Sequence, residues 1–593
     1  MPSACFRPPR HAFRPPQVLL FEIGLARQDA GSAAARRLEK RPTAALGCMI
    51  DGSQTVEGKF LCMPGGKRSN PITAGRKRTR RNRPLTAFAL LLGSVAMGRA
   101  EGPCARCHPS EAAAFERSPM GRSVGPPSVF AEGRVTHKLS GSTIAIHRDG
   151  SLLKHRLERS GVVAEYPIAY SVGAGIVGYS YMVRLGQYLF QSPVSYYTQT
   201  QSWDLTPGYE AEPHLDFTHQ ISSGCLFCHT GSVNLFGRTA SQFGDPPFTP
   251  ISCQRCHGSA AAHLQNPIAG SIVNPAKLSP SRRDSVCEQC HLEGEVRILN
   301  PGRDWWDFQV GQAAESVFVT YLRTAARGTL RAVSQSELLA RSQCARQSGG
   351  RFWCGTCHNP HAGEQIRPKA LRQVCLSCHG DLFAAGRHRA AAAECVSCHM
   401  PRLRPTNVAH SAITDHSIPR IAGAPQPEGG GANPEPKAWR DADPALVRRD
   451  LGLAYFDLAA STHAGPDLQQ AYRILSQLPP LERQDPAVQA DLGSVLLAQG
   501  EVGLAIQMFA RASAQEPSNA RYVYCLGTAF ERAGKMEEAV RELKRSIELD
   551  PSQPDAYLEL AQFYKKAGRE AESRNALQQY LRFMPQNIET RLK

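Results

Sequence analysis

Seven times in this chain two cysteines stand three positions apart with a histidine directly after the second. The pairs are Cys104/Cys107, Cys225/Cys228, Cys253/Cys256, Cys287/Cys290, Cys354/Cys357, Cys375/Cys378 and Cys395/Cys398, and the histidines are His108, His229, His257, His291, His358, His379 and His399. With 19 Cys and 19 His in 593 residues, chance alone gives about 0.02 such motifs. Two thiols at this spacing can each add to one vinyl group of a single porphyrin, and the adjacent imidazole then lies beneath the iron as its proximal ligand. The chemistry expected is therefore seven covalently bound c-type haems. Structural zinc is the competing reading, since paired C-x-x-C motifs also build tetrahedral sites, but zinc does not require His after every second Cys. Disulfides within such short loops would staple nothing across a fold.

A proximal histidine leaves the sixth position of each iron open, and what fills it separates an electron carrier from a catalyst. His263 follows the third motif in Cys-His-Gly-Ser-Ala-Ala-Ala-His, and His361 follows the fifth in Cys-His-Asn-Pro-His; a short turn at each place can aim a second imidazole at a neighbouring haem. His388 precedes the last motif, and His410 and His416 follow it. His214 and His219 lie just before the second motif, and Met120 follows the first in Ser-Pro-Met-Gly-Arg-Ser. These eight are the candidate distal ligands. His147 and His155 sit in alternating, strand-like sequence and read as surface imidazoles. Of the cysteines outside the motifs, Cys525 reads as helix core. Cys344 is read as a buried inert thiol, with a haem or substrate ligand as the alternative.

The segments that must hold these groups differ along the chain. Thr143–His147 and Leu152–Leu157 flank Asp149-Gly150 as a hairpin, and alternation continues through Glu165–Val172, Tyr179–Leu185 and Tyr188–Tyr197. This predicts an antiparallel β insertion over about 130–205 within a loop-rich, mainly α heptahaem domain at 101–420. Tyr196, Tyr197 and Trp203 are candidates to pack on a haem face or to fill a core. From the second motif onward the first cysteines are only 28, 34, 67, 21 and 20 residues apart, so porphyrins would supply much of the core and lie in a crowded row.

Residues 421–440, rich in Pro and Gly, read as a linker. Beyond it Gly493, Gly527 and Ala561 recur every 34 residues, in step with Leu492/Leu526/Leu560, Gly500/Gly534/Gly568 and Pro517/Pro551/Pro585. That is the tetratricopeptide period, and with a more degenerate unit at about 444–480 it predicts an all-α solenoid of roughly four helix pairs over 441–593. Such a groove commonly docks a protein, here a redox partner.

Of the formal net charge of +17, residues 1–100 carry +13. This basicity is concentrated ahead of an apolar run: Lys77–Arg83 is followed by Leu85–Val95 and then Gly98-Arg99-Ala100, the layout of a secretory signal peptide at 77–100. The run is too short for a stable transmembrane anchor, so the mature chain is expected to lack a membrane span and to be periplasmic or otherwise exported. Residues 1–76 are a doubtful extension, with translation expected to start near Met63, and no nucleic-acid partner is implied.

The segments Cys-Val-Ser-Cys-His-Met-Pro, Thr-Asp-His-Ser-Ile, Cys-His-Asn-Pro-His and Cys-His-Gly…His resemble the multihaem cytochrome superfamily of nitrite reductases, hydroxylamine oxidoreductases and tetrahaem carriers. The resemblance covers about 104–593 and implies c-type haem as the cofactor; with spare histidines enough to cap the irons, the reading taken is an exported heptahaem electron carrier. Its alternative is an oxidoreductase of small nitrogen or sulfur compounds with one open-site haem. The C-x-x-C-K motif of the nitrite reductases is absent. If the leader is cleaved as read, mass spectrometry of the exported protein will find Glu101 as the first residue; recovery of peptides from residues 1–60 would refute it.

Overall fold

The computed structural model describes residues 102–583, apart from 130, 211, 214, 218, 237–238, 324–330, 363–367, 381–393, 406, 409, 421–434 and 463–464. The leader, most of the linker, Pro585 and the candidate ligands His214 and His388 therefore lie outside the described residues.

The β insertion is larger than the alternation implies. A nine-stranded antiparallel sheet is built from β1 (Val124–Gly125), β2 (Gly133–His137), β3 (Ser142–Asp149), β4 (Leu152–Arg159), β5 (Val162–Val172), β6 (Gly178–Leu185), β7 (Tyr188–Gln191), β8 (Val194–Tyr197) and β9 (Ser202–Leu205). The path runs β2-β3-β4-β5-β6-β8-β9, with β1 added to β5 and β7 to β6. The expected hairpin is β3–β4, with Thr143 opposite Glu158 and Gly150 at φ 60° in its turn. The run expected from Tyr188 to Tyr197 breaks between β7 and β8 at Ser192-Pro193, because proline has no N–H to give a ladder.

The sheet curls until its ends meet. Trp203 on β9 donates its indole N–H to the Ala131 carbonyl (3.0 Å), and its ring lies so close to Gly133 on β2 that a Cβ there would approach within 2.4 Å. Trp203 also packs at 5.2–5.3 Å from Tyr181, His155 and Tyr196, so it closes a near-barrel. The expectation of a mainly α domain around this insertion is therefore corrected: the region is β-rich. The described helices of this region are mostly one to three turns long, and three further small sheets follow, β10–β11 (Thr230–Leu235, Phe243–Pro250), β12–β13 (Val296–Leu299, Phe318–Leu322) and β14–β15 (Arg402–Leu403, Ile413–Thr414).

The repeat domain matches its period. Helices Val447–Thr462 and Gly465–Ser476 form the degenerate pair, followed by Pro486–Ala498/Val502–Gln515, Ala520–Arg532/Met536–Leu549 and Pro554–Lys566/Glu570–Phe583. A Cβ on Gly493 would strike the Phe509 ring at 2.8 Å, which is why a small residue recurs where paired helices touch. Cys525 is fully buried in this core, as expected.

The solenoid is fastened to the rest of the chain at two places. Val296, Ile298, Val319 and Tyr321 of β12–β13 share one core with Leu453, Leu475, Val488 and Leu492. Tyr557 and Tyr580 of the last pair join the core of the near-barrel, where Gln220 also donates to Ser552 (2.7 Å). Lys437–Ala438, expected as linker, instead forms a third strand against Tyr321–Leu322. Trp439 N–H extends it to the Thr320 carbonyl (2.8 Å), because backbone pairing asks little of side-chain type.

His155 corrects another expectation. It shares its phase on β4 with Leu153 and Leu157 and is fully buried; its Nδ1 is 2.7 Å from Ser192 Oγ. Burial lowers its pKa from the usual 6.5 to about 3. The folded state thus binds fewer protons than the unfolded one, so this stability is present above about pH 6.5 and is lost as pH falls from there toward 3. Melting temperatures taken between pH 7 and pH 4 should fall, and His155→Phe should flatten that slope; an unchanged slope in the variant would exclude His155 as the cause.

Candidate haem-binding site

Each motif is a single helical turn or the end of a helix, and that is what aligns its three reactive groups. His108 N–H donates to the Cys104 carbonyl (2.8 Å), His257 to Cys253 (2.9 Å) and His358 to Cys354 (2.9 Å). One i to i+4 bond of this kind sets cysteines three apart on the same side, with the histidine beside them. The fourth motif closes helix Pro280–His291 and the sixth closes Pro368–His379; the second, third, fifth and last are isolated turns.

Isolated turns need outside support. In the second motif, Leu226 is buried with Val124, Met182, Leu189, Phe243 and Phe248 on the outer face of the sheet, and Phe227 with Phe308, Val317 and Phe318 on the opposite side. The residues between the cysteines also bind one another across motifs. Arg255 donates to the Phe227 carbonyl (2.7 Å), Gln289 Nε2 to the Arg255 carbonyl (3.2 Å), and Cys228 Sγ lies 3.6 Å from the Gln289 carbonyl. Arg283 reaches from the helix of the fourth motif to the Gly350 carbonyl (2.9 Å) and lies 4.7 Å from the centre of the Trp353 ring, which precedes the fifth motif.

The thiols follow the same contacts. Cys104 faces Cys253, Cys228 faces Cys290, Cys287 faces Cys354 and Cys375 faces Cys395. The motifs are thus adjacent in an order different from the sequence: the first returns to the third, and the second, third and fourth meet in one cluster. From there contacts lead through the fifth and sixth to the last. Burial, then the Cys395 thiol, pushes Cys375 up to about 11. Among the described residues no three His, Cys, Asp or Glu side chains converge as a metal cage.

Three of the predicted attachment cysteines depart from this pattern. Cys107, Cys378 and Cys398 are exposed, whereas the other motif cysteines are partly buried. His108 and His379, directly after the first two, are exposed with them. The reason is position. These residues belong to the first, sixth and last motifs, which stand at the two ends of the contact order, so solvent takes the side where an inner motif has a neighbour.

The remaining histidines sort clearly. His361 is projected by the turn at Asn359, whose side chain accepts from His361 N–H (3.0 Å). Its ring centre lies 5.8 Å from that of His257 in the third motif, with planes 11° apart. His416 follows a short hairpin, Arg402–Leu403 with Ile413–Thr414, and its ring centre lies 6.2 Å from that of His358 in the fifth motif, with planes 23° apart. Two imidazoles on opposite sides of one iron have ring centres about 6 Å apart, given metal–nitrogen bonds of about 2 Å. His257 Nδ1 is bonded to the Val273 carbonyl (2.8 Å) and His416 Nδ1 to the Thr414 carbonyl (2.9 Å), which leaves Nε2 of each for a metal. The pKa of both His358 and His361 is lowered, first by burial and then by the neighbouring imidazole, favouring the neutral form that iron binds. The residues present therefore fit two-histidine haem sites at these two places.

The other candidates are not brought to a motif histidine in this way. His219 is buried 4.1 Å from the Tyr209 ring and held neutral by burial, its pKa lowered to about 3. His410 binds Asp204 (2.6 Å) beside Tyr197. His263 bonds Ser271 Oγ (2.8 Å), and Met120 is half-buried in the turn after helix Pro109–Arg117. Cys344 is partly buried next to the fifth and sixth motifs, its thiol pushed up by burial and thus kept protonated. The Arg255 contacts escaped the sequence reading, because nothing in the spacing distinguishes an arginine between motif cysteines from a solvated one.

Residues 346–384 match a family described as a doubled CXXCH motif, and residues 490–554 and 530–591 each match tetratricopeptide repeat families. The chain thus carries a c-type haem attachment motif and ends in repeats of a kind that bind proteins. No curated protein matches it. Solved structures similar to it include "MamA 41-end from Desulfovibrio magneticus RS-1", at 16% identity over 24% of this chain and 84% of that one, with a TM-score of 0.21. Another is "Crystal structure of MamA", at 19% identity over 25% of this chain and 97% of that one, with a TM-score of 0.20.

Proposed function

We propose that this is an exported, periplasmic c-type cytochrome of the multihaem superfamily that carries seven haems and passes electrons among them, with its repeat domain meeting redox partner proteins. The observation that carries this reading is the pairing of His361 with His257 and of His416 with His358 at the spacing of two axial imidazoles. Haem with two histidine ligands has no open coordination position and exchanges electrons without binding substrate. The contacts between motifs support the same reading, because they bring the attachment sites close enough for haems to be neighbours.

The chain's own residues do the positioning. The motif cysteines fix each porphyrin, the Val273 and Thr414 carbonyls orient His257 and His416, and Asn359 aims His361. No described helix is long and apolar enough to cross a membrane. Part of the repeat surface packs on β12–β13 and on the near-barrel, so a partner would meet what these leave uncovered.

Mass spectrometry of the mature protein should show seven haems, and the ferric spectrum should be entirely low-spin. His361→Ala and His416→Ala should each retain seven haems, since the thioether bonds are untouched, and each should convert one iron to high-spin. A wild-type high-spin component would favour the oxidoreductase alternative, and low-spin spectra in both variants would refute the two assignments.

A further inference from the structure

We propose that the haems of the second, third and fourth motifs form one cluster whose reduction potentials are raised by Arg255, a fixed positive charge clamped among them. This rests on the seven-haem reading above.

Arg255 lies between the two cysteines of the third motif, yet its contacts are to other segments. Its guanidinium donates to the Phe227 carbonyl of the second motif (2.7 Å) and stands 4.1 Å from the centre of the Phe227 ring and 4.9 Å from that of Trp306. Its own carbonyl accepts from Gln289 of the fourth motif (3.2 Å). Two aromatic faces and a carbonyl hold the cation in place without neutralising it. Among the described residues no carboxylate pairs with Arg255, and its Nε is buried without a partner. The contrast with nearby arginines is informative: Arg440 has Glu288 at 2.7 Å, and Arg331 pairs with Glu293 and Glu295.

A charge so placed acts on the electron equilibrium directly. Reduction adds one negative charge to a haem, and an uncompensated cation in a half-buried, low-dielectric setting favours the reduced form. Arg297 acts in the same direction: it donates to the Gln289 carbonyl (3.0 Å), the Glu288 carbonyl (3.0 Å) and the Leu292 carbonyl at the end of the fourth motif, and it stands 5.0 Å from the centre of the Phe318 ring. The cluster would then form the high-potential part of the haem row, and electrons entering elsewhere would settle there.

The test is a spectroelectrochemical titration of the mature holoprotein and of Arg255→Gln and Arg255→Lys, with haem number checked by mass. Arg255→Gln should keep seven haems and shift the highest-potential part of the titration downward, while Arg255→Lys, which keeps the charge, should restore most of it. Seven haems with an unchanged curve in Arg255→Gln would overturn the inference and leave the seven-haem reading intact. Fewer than seven haems in the wild-type protein would overturn that reading itself. If Arg255→Gln fails to load haem, Arg255→Lys still decides: retained high potentials support the charge, and lowered ones show that the fork to Phe227 mattered and the charge did not.

Discussion

A single helical turn is not stable alone, and nearly every attachment motif in this chain is a single turn. Nucleating a turn fixes several dihedral angles for one hydrogen bond, so in isolation it is unfavourable. Attachment geometry nonetheless depends on that turn, because the bond from the histidine N–H back to the first cysteine carbonyl, as at His108, His257 and His358, or to the next residue, as from His229 to Leu226, places both thiols and the imidazole together. Much of the architecture serves to offset that nucleation cost. Leu226 and Phe227 are packed on both sides, Arg255 and Gln289 tie three motifs together, and Arg283 with Trp353 ties the fourth to the fifth. Helix ends serve the fourth and sixth motifs, where preceding turns supply the nucleus.

How much of this was legible depends on how local the cause was. The repeats are visible in the sequence because Gly493, Gly527 and Ala561 answer to contacts within one helix pair. Strands β3 and β4 are visible because alternation and an Asp-Gly turn are local. Closure of the sheet is not visible, since it turns on Trp203 meeting Gly133 across seventy residues of chain. His155 was readable in principle: it has the inward phase of Leu153 and Leu157, but a histidine between a lysine and an arginine suggests solvent. The exposure of Cys107, Cys378 and Cys398 was not readable, because it depends on which motifs become neighbours and C-x-x-C-H spacing is the same at all seven. The turn at Asn359 shows that His361 is projected, whereas the histidine it faces, His257, belongs to a motif a hundred residues earlier.

The same distinction explains the mixed fate of the candidate ligands. Imidazole is equally suited to a metal, a carboxylate, a hydroxyl or an aromatic stack, and the sequence records only that it is present. His410 found Asp204, His263 found Ser271 and His219 found Tyr209, each on an element whose position is set by the sheet or by neighbouring loops. His416 faces His358 because the Asp415 N–H hooks back to the Pro401 carbonyl (2.8 Å), folding the segment after the last motif onto its beginning.

The fastening of the repeat domain turns on a buried charge cluster whose worth lies in register. Arg449 on the first repeat helix donates to the Leu299 carbonyl of β12 (3.1 Å) and to Asp485 (3.1 Å), whose other oxygen caps helix Pro486–Ala498; it also pairs with Asp450 (2.5 Å). Burial raises Asp450 to about 6 even though Arg449 pulls the other way, so desolvation outweighs the attraction. A pair with that balance adds little net stability over an apolar core of the same shape. What an apolar core would not do is choose one alignment of three segments, because Leu453, Leu475, Val488 and Leu492 could slide against Val296 and Ile298 with little loss. Three directional acceptors remove that freedom. The hairpin β12–β13 begins five residues after His291, so the register fixed by Arg449 passes directly to the fourth motif and the cluster around Arg255.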